Sequence, residues 1–390
     1  MHFNGIKIRF TKNTKYELLS WLPVLYWLSN LFRMTGRGSV LYLSAVFVTG
    51  TIGLLNLLSG KKMLRTAVVG FMFLYLLTGV MNWLIIGNVS FRDIINDLML
   101  FGVTISMFAY PQTYRNGVIC YYLSVLVFLA AYFRGSYAFT VLTSSGNYVS
   151  VILILASAYY YFCVQNSDHG FNIKDILPAL LSFMLAIWAR GRGGILASAL
   201  LLLLILFYYI RNYAKKNTRR FSVVIFSIII VVTVLLLQNI NLLNTFMSLG
   251  KWQYRGLDNA ARELIWGSYF NNLKENPLYV IFGAPLNDIH IIYSYGNNTH
   301  NSFLQLHATN GLITFILFCI LLIRSFIFYL KNNKELNVIA IIAIVVRGMT
   351  DKFIFGQYGM PIMLYLVLWP YIEAFFQNMT MQNSPFQIDA

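Results

Sequence analysis

Apolar residues in this chain gather in long runs, broken by short polar stretches, and most runs are long enough to cross a bilayer. A spanning helix needs roughly 20 mostly apolar residues. Such runs fall at 17–32, 39–59, 66–87, 94–110, 117–133, 147–164, 175–190, 193–210, 221–238, 302–330, 336–350 and 358–377. The pattern predicts an all-α polytopic membrane protein of about 12 transmembrane helices, with both termini on one face. The seventh and eleventh runs are short. No A-x-A-like cleavage site follows the first run, so it reads as a retained helix rather than a signal peptide.

One polar stretch stands apart. Residues 239–300 are mostly too polar to span, and they divide the chain into 1–238 (helices 1–9), 239–300 (a large loop) and 301–390 (helices 10–12). Long loops inside compact proteins are usually functional. Asp258 or Asn259 is placed to cap a helix running to Pro277. On that amphipathic helix Arg262, Trp266, Tyr269 and Leu273 form one stripe, which predicts a helix lying on the membrane surface with its aromatic side down.

Composition agrees. Of 390 residues, 58% are hydrophobic and 11% charged, with a mean hydropathy of +0.65; a soluble domain carries about 25% charged residues. A water-soluble enzyme, a disordered chain and a disulfide-stapled secreted protein are excluded. Cys120, Cys163 and Cys319 lie far apart in apolar runs and read as small core residues.

The net charge of +16 would suggest nucleic acid in a soluble protein. Here it concerns topology and membrane lipids, and no nucleic-acid partner is expected. Lys7, Arg9, Lys12 and Lys15 precede the first run, and Lys61, Lys62 and Arg65 follow the second. Arg211, Lys215, Lys216, Arg219 and Arg220 follow the eighth; Lys331 and Lys334 follow the tenth. With twelve spans all fall on one side, which is then cytoplasmic. The location is the bacterial inner membrane, and the large loop is periplasmic.

Other cations fall on the outer side. Arg190 and Arg192 occupy the turn Ala189-Arg190-Gly191-Arg192-Gly193-Gly194. Lys251, Arg255, Arg262 and Lys274 lie in the large loop, and Arg347 and Lys352 flank the eleventh run. Arg near hydrocarbon costs about 2.5 kcal/mol even on the lenient insertion scale, so an anion should offset it. Arg suits phosphate because its planar fork donates two parallel hydrogen bonds. The flanking glycines would let backbone approach a ligand. Each arginine alone has a plainer reading, snorkelling to lipid headgroups; for Arg190 and Arg192 together the ligand is favoured.

The most specific stretch runs from Asn297 to Thr314, polar at first and then a long apolar helix whose first turn holds His300 and Asn301. A helix N-terminus disfavours imidazole protonation, and neutral imidazole accepts a hydroxyl proton. His307 lies two turns on, on roughly the same face. A histidine at a helix start is more often structural than catalytic. His290 and His169 read as loop residues. No paired carboxylates, H-x-x-x-H or clustered Asp motif appears, so neither a hydrolase pair nor a metal is indicated.

His300-Asn301, nine residues, Gly311, two residues and Thr314 resemble the H-[NSQ]-x9-G-x-x-[GTY] signature of bacterial O-antigen ligases, shared loosely with O-antigen polymerases. Arg192-Gly193-Gly194-Ile195-Leu196 resembles the turn after a short helix in these proteins. Arg262 to Trp266 resembles their periplasmic R-x-x-x-W, and Pro277 to Gly283 the stretch beyond it. The resemblance covers about residues 180–330. Ala189 and Gly191 stand where the family often has Ser, leaving Arg190 and Arg192 both eligible, with Arg192 preferred.

The resemblance implies a GT-C-like glycosyltransferase architecture and an O-antigen polymerase. Such an enzyme joins undecaprenyl-pyrophosphate-linked repeat units, its donor and acceptor, and releases undecaprenyl pyrophosphate. It implies inversion, independence of metal, no cofactor, and a chain-length regulator protein as a partner. Arg192 and Arg262 would stabilise the departing pyrophosphate, with Arg190 and Arg255 as weaker candidates. His300 would take the acceptor's proton, and Asn301 would orient a sugar hydroxyl or His300. Trp266 and Tyr269 would stack on sugar or cover the site, the plainer alternative being an interfacial aromatic belt. His307 is a further substrate-binding candidate. Two other readings are a ligase, toward which the helix-ten signature leans, and a transporter of the lipid-linked oligosaccharide. Transporters tend to carry midplane charges and repeats, and neither is evident here. The aromatic-rich composition, with 26 Tyr and 31 Phe, the Gly-Arg-Gly-Gly turn and the loop layout look more like polymerases.

Overall fold

The structure, a computed structural model, describes residues 17–34, 39–58, 66–110, 112–134, 147–216, 260–356 and 358–382. The expected span at 221–238 and the first part of the large loop, including Lys251, Arg255, Asp258 and Asn259, lie outside the described residues. So do the basic clusters at 7–15 and 61–65, and Arg219 and Arg220.

Among the described residues the regular structure is entirely helical. We number the helices α1 (Leu22–Met34), α2 (Ser39–Leu58), α3 (Thr66–Ile85), α4 (Phe91–Ala109), α5 (Tyr114–Phe133) and α6 (Asn147–Gln165). A 3-10 turn (Ile173–Ile176) leads into α7 (Leu177–Trp188) and α8 (Arg192–Lys216). After the undescribed stretch come α9 (Ala260–Glu275), α10 (Pro277–Phe282), α11 (His290–Ser294), α12 (Ser302–Lys331), α13 (Glu335–Gly348) and α14 (Met360–Gln382).

Local chemistry sets several of these boundaries. Ser90 and Asp93 form a capping box that starts α4, and Thr113 caps α5. Asn172 and Asp175 repeat the box before α7. Asn276 caps α10, whose first residue is Pro277, where the missing N–H costs nothing.

α6 is the central helix, buried continuously from Val149 to Val164 and packed against α5, α7, α8 and α13. Other helices keep apolar faces outward. On α12, Ile313, Ile316, Ile320, Ile323 and Ile327 form a single exposed stripe at three- and four-residue spacing, and on α8 Leu196, Leu203 and Phe207 do the same. Contiguous apolar surface of this kind is untenable in water and natural in lipid. Among the described residues six helices are long and apolar enough to cross a membrane: α2, α3 from Val68, α5, α6, α8 to Tyr213, and α12. α14 contributes a shorter apolar segment, Met360–Glu373. The protein is therefore a helical membrane protein.

The bundle has two charged ends. α8 carries Arg192 at one end and Arg211 at the other, a rise of about 28 Å at 1.5 Å per residue, close to the ~30 Å hydrocarbon core. At the Arg211 end, Arg211 pairs with Glu335, and the Lys334 ammonium donates to Glu373 Oε1 at 2.6 Å and Asn166 Oδ1 at 2.8 Å. At the Arg192 end lie Arg262, Arg347 and Lys352, around Asp351.

Candidate functional site

The site is built on the start of α12, the start of α8, the helix α9 and the segment following α13. Asn301 is the N-cap of α12: its side-chain oxygen accepts from the N–H groups of Phe303 at 2.9 Å and Leu304 at 3.3 Å. His300 thus sits one residue outside the cap, not in the first helical turn as expected. Its backbone is left-handed, with φ of 51°, a conformation that costs a non-glycine residue energy and needs support.

The support is visible. The His300 N–H donates to Asn298 Oδ1 at 2.8 Å, closing a local turn. The Lys352 ammonium holds the carbonyls of Gly296 at 3.1 Å and Asn297 at 2.8 Å. Trp266 Nε1 donates to Thr299 O at 2.9 Å. Ser302 Oγ donates to Asp351 O at 2.7 Å and accepts from the N–H groups of Phe353 and Ile354. Neighbours on two other elements, α9 and the segment after α13, therefore hold the loop in its strained form.

Asp351 lies at the centre. Its Oδ1 stands 3.9 Å from His300 Nδ1, with the imidazole 26% exposed and the carboxylate 6%. The same oxygen accepts from Asn298 Nδ2 at 3.4 Å and from the Lys352 N–H at 2.9 Å. Its Oδ2 faces Arg347 Nη2 at 3.4 Å, one helical turn back. Arg347 is buried, and its other donors reach Ser150 Oγ at 3.2 Å, Asn147 O at 3.1 Å and Thr350 Oγ1 at 2.8 Å. A buried cation so fully bonded is a structural fixture.

Arg262 joins this group from α9. It is half-buried, and its Nη2 donates to Thr350 O at 3.0 Å. Burial pushes its pKa down; Asp351 opposes that shift and Arg192 adds to it. Since a guanidinium keeps its proton, the consequence is a cation short of solvent and ready to accept an anion. Arg192, half-buried at the first position of α8, shares this electrostatic neighbourhood. Arg190 is exposed with φ of 57°. Arg255 lies outside the described residues.

Two expectations change. The glycines of the Arg190–Gly194 turn do not open space for a ligand. A Cβ on Gly191 would meet Asn147 Oδ1 at 2.4 Å, on Gly193 Thr350 Oγ1 at 2.5 Å, and on Gly194 Ser150 Oγ at 2.2 Å. The glycines let α8 pack against the residues that bond Arg347. The stripe on α9 also faces the protein rather than the membrane. Arg262, Trp266 and Tyr269 each bond inward, and Leu273 packs on the cluster of Ile265, Tyr269, Leu286 and Ile292. Protein contacts satisfied the stripe before lipid could.

Tyr269 and His307 are bonded to each other. His307 Nε2 lies 2.9 Å from Val280 O, which only accepts, so Nε2 carries the proton and Nδ1 accepts from the Tyr269 hydroxyl. The pair ties α9 and α10 to α12, and burial pushes the Tyr269 phenol's pKa up.

The remaining signature residues also have physical roles. Gly311 interrupts α12 with φ of 71°, and a Cβ there would stand 2.0 Å from Ile281 O on α10. Asn82 bridges the same contact, donating to Phe282 O at 2.7 Å and Ala308 O at 2.9 Å. Thr314 shares a 2.7 Å hydroxyl contact with Thr78 on α3. The spacing from His300 to Thr314 thus encodes a loop, a break and a helix contact.

The structure unites His300, Arg262 and Arg192 and adds Asp351, Arg347 and Lys352. The Arg347–Asp351 spacing of four was the available signal for the acid. Among the described residues no group of three or more His, Cys, Asp or Glu could hold a metal. No curated protein sequence matches the chain. Residues 177–319 match the model of a family described as O-antigen ligase, a segment consistent with the O-antigen polymerase and ligase superfamily.

Proposed function

We propose that the protein is an O-antigen polymerase, a glycosyltransferase at the periplasmic face of the bacterial inner membrane. It joins undecaprenyl-pyrophosphate-linked repeat units and releases undecaprenyl pyrophosphate. The observation that carries this reading is the His300–Asp351 pair set beside Arg262 and Arg192 at one end of the bundle.

In this reading the donor's pyrophosphate lies against Arg192 and Arg262, with Arg190 extending the cationic path. As the bond from the anomeric carbon to phosphate breaks, the leaving oxygen gains negative charge, and the guanidinium groups stabilise it. The acceptor hydroxyl attacks the same carbon from the opposite side, with inversion. Its proton passes to His300 Nε2, while Asp351 at Nδ1 orients the ring and stabilises the imidazolium. Asn301 fixes the loop by capping α12, and Trp266 holds Thr299. Tyr269 and His307 serve as the joint beneath the site rather than as sugar contacts.

A ligase, transferring finished polymer to lipid A-core, is the second reading, and the matched family accommodates both. A lipopolysaccharide gel from a deletion strain separates the two. Core bearing a single repeat unit, with the ladder restored by wild-type plasmid, is expected for a polymerase. Bare core with lipid-linked polymer accumulating would make it a ligase, and an unchanged ladder would contradict both.

A further inference from the structure

Beside the His300 loop lies a cavity of about 370 Å³, within the roughly 300–1,000 Å³ range of small-molecule sites. It is bounded by α3, the first turns of α4, the outer half of α12 and the segment after α13. Its polar lining includes Asn96, Asp97, Gln305 and Thr309, and aromatic faces come from Tyr148, Phe353 and Phe355.

Three features decide what it takes. Asp93 and Asp97 outnumber the one lining cation, Lys352, so the cavity does not suit a pyrophosphate. The Asp97 carboxylate, the Asn96 amide and the Gln305 NH2 form no hydrogen bond with the described residues; Gln305 uses only its oxygen, toward Thr299. Carboxylate and amide groups beside aromatic faces match the alternating hydroxyls and C–H faces of a sugar ring. The cavity also touches the catalytic loop. Asn297 lines it, and Lys352 both lines it and holds the Gly296 and Asn297 carbonyls.

Resting on the glycan-transfer reading above, we propose that this cavity is the acceptor's saccharide subsite. Asn96, Asp97 and Gln305 bond sugar hydroxyls there. A single displacement needs the attacking hydroxyl opposite the leaving group. The arginines that receive the pyrophosphate do not line the cavity, which meets the His300 loop through Asn297 and Lys352. Lys352 lines the cavity and holds the Gly296 and Asn297 carbonyls, so the saccharide seat adjoins the segment that presents His300.

The test is equilibrium binding of free repeat-unit oligosaccharide, released by mild acid from the source strain's lipid-linked pool, to full-length protein in nanodiscs. Asn96→Leu and Gln305→Leu should each weaken binding tenfold or more, and Asp97→Asn, which keeps the shape, about three- to tenfold. His300→Ala and Arg262→Lys should leave saccharide affinity unchanged. Wild-type affinity in Asp97→Asn together with either leucine variant, or no saccharide binding by an active protein, would overturn the subsite while leaving glycan transfer standing. The reverse separation is as clear: cavity-dependent saccharide binding with full transfer by His300→Ala would remove the transfer mechanism and keep the subsite.

Discussion

At the scale of single residues, His300 and Arg262 belong together for different reasons. His300 is offered to the site by a left-handed backbone that a turn of its own loop and two other elements hold in place. Arg262 is a half-buried cation whose nearest fixed partner is a carbonyl. Replacing Arg262 by Lys keeps the charge but loses the fork, and should lower kcat by tenfold or more with little change in thermal midpoint. Assay of transfer alongside a melting curve checks this. Trp266→Phe keeps the ring and removes the bond to Thr299 O. It should reduce kcat several-fold, because the loop that carries His300 loses one of its supports. Of these residues, His300, Arg192 and Arg262 were legible as chemistry out of place: a polar helix start and cations on the outer side. Asp351 was not, because its role depends on a contact with a residue 51 positions earlier in the chain.

At the scale of elements, α12 does the positioning. Its N-cap fixes the His300 loop, and its break at Gly311 admits α10. Gly311→Ala should therefore destabilise the protein by about 2 kcal/mol or more, from the positive φ and the clash with Ile281 O. The change would be read as a lowered melting midpoint in detergent. Tyr269→Phe should cost about 1 kcal/mol, from the lost bond to His307, with transfer largely kept; a large loss of activity at unchanged stability would instead give Tyr269 a direct part. Six of the expected spans, those forming α2, α3, α5, α6, α8 and α12, were legible because membrane-spanning segments declare themselves by length and apolarity. The stripe on α9 misled because an aromatic face suits a membrane surface and a protein surface equally well. The glycines of the Arg190 turn misled similarly: close approach was required, but to Asn147, Ser150 and Thr350 rather than to a ligand.

For the whole molecule, charge is divided between the two ends of an apolar bundle. Arg211, Glu335, Lys334 and Glu373 neutralise one another at one end; at the other, Asp351 pairs with Arg347 and lies in the field of Arg262 and Lys352, with Arg192 close to Arg262. If the second end is periplasmic, Ser294→Cys should react with a membrane-impermeant maleimide in intact cells, and Lys331→Cys only after permeabilisation. The native thiols Cys120 and Cys163 are buried, and Cys319, half-buried on α12, is changed to Ser in the parent of both variants. The account turns on a histidine base at the outer end of this bundle. Its most direct test is the single-turnover rate of glycan transfer from lipid-pyrophosphate donor by purified wild-type and His300→Ala protein in nanodiscs. General-base catalysis contributes about 10²–10⁴-fold, so the variant should lose at least 100-fold in rate while still binding donor and melting as wild type does. Transfer at the wild-type rate by a folded His300→Ala protein would contradict the account.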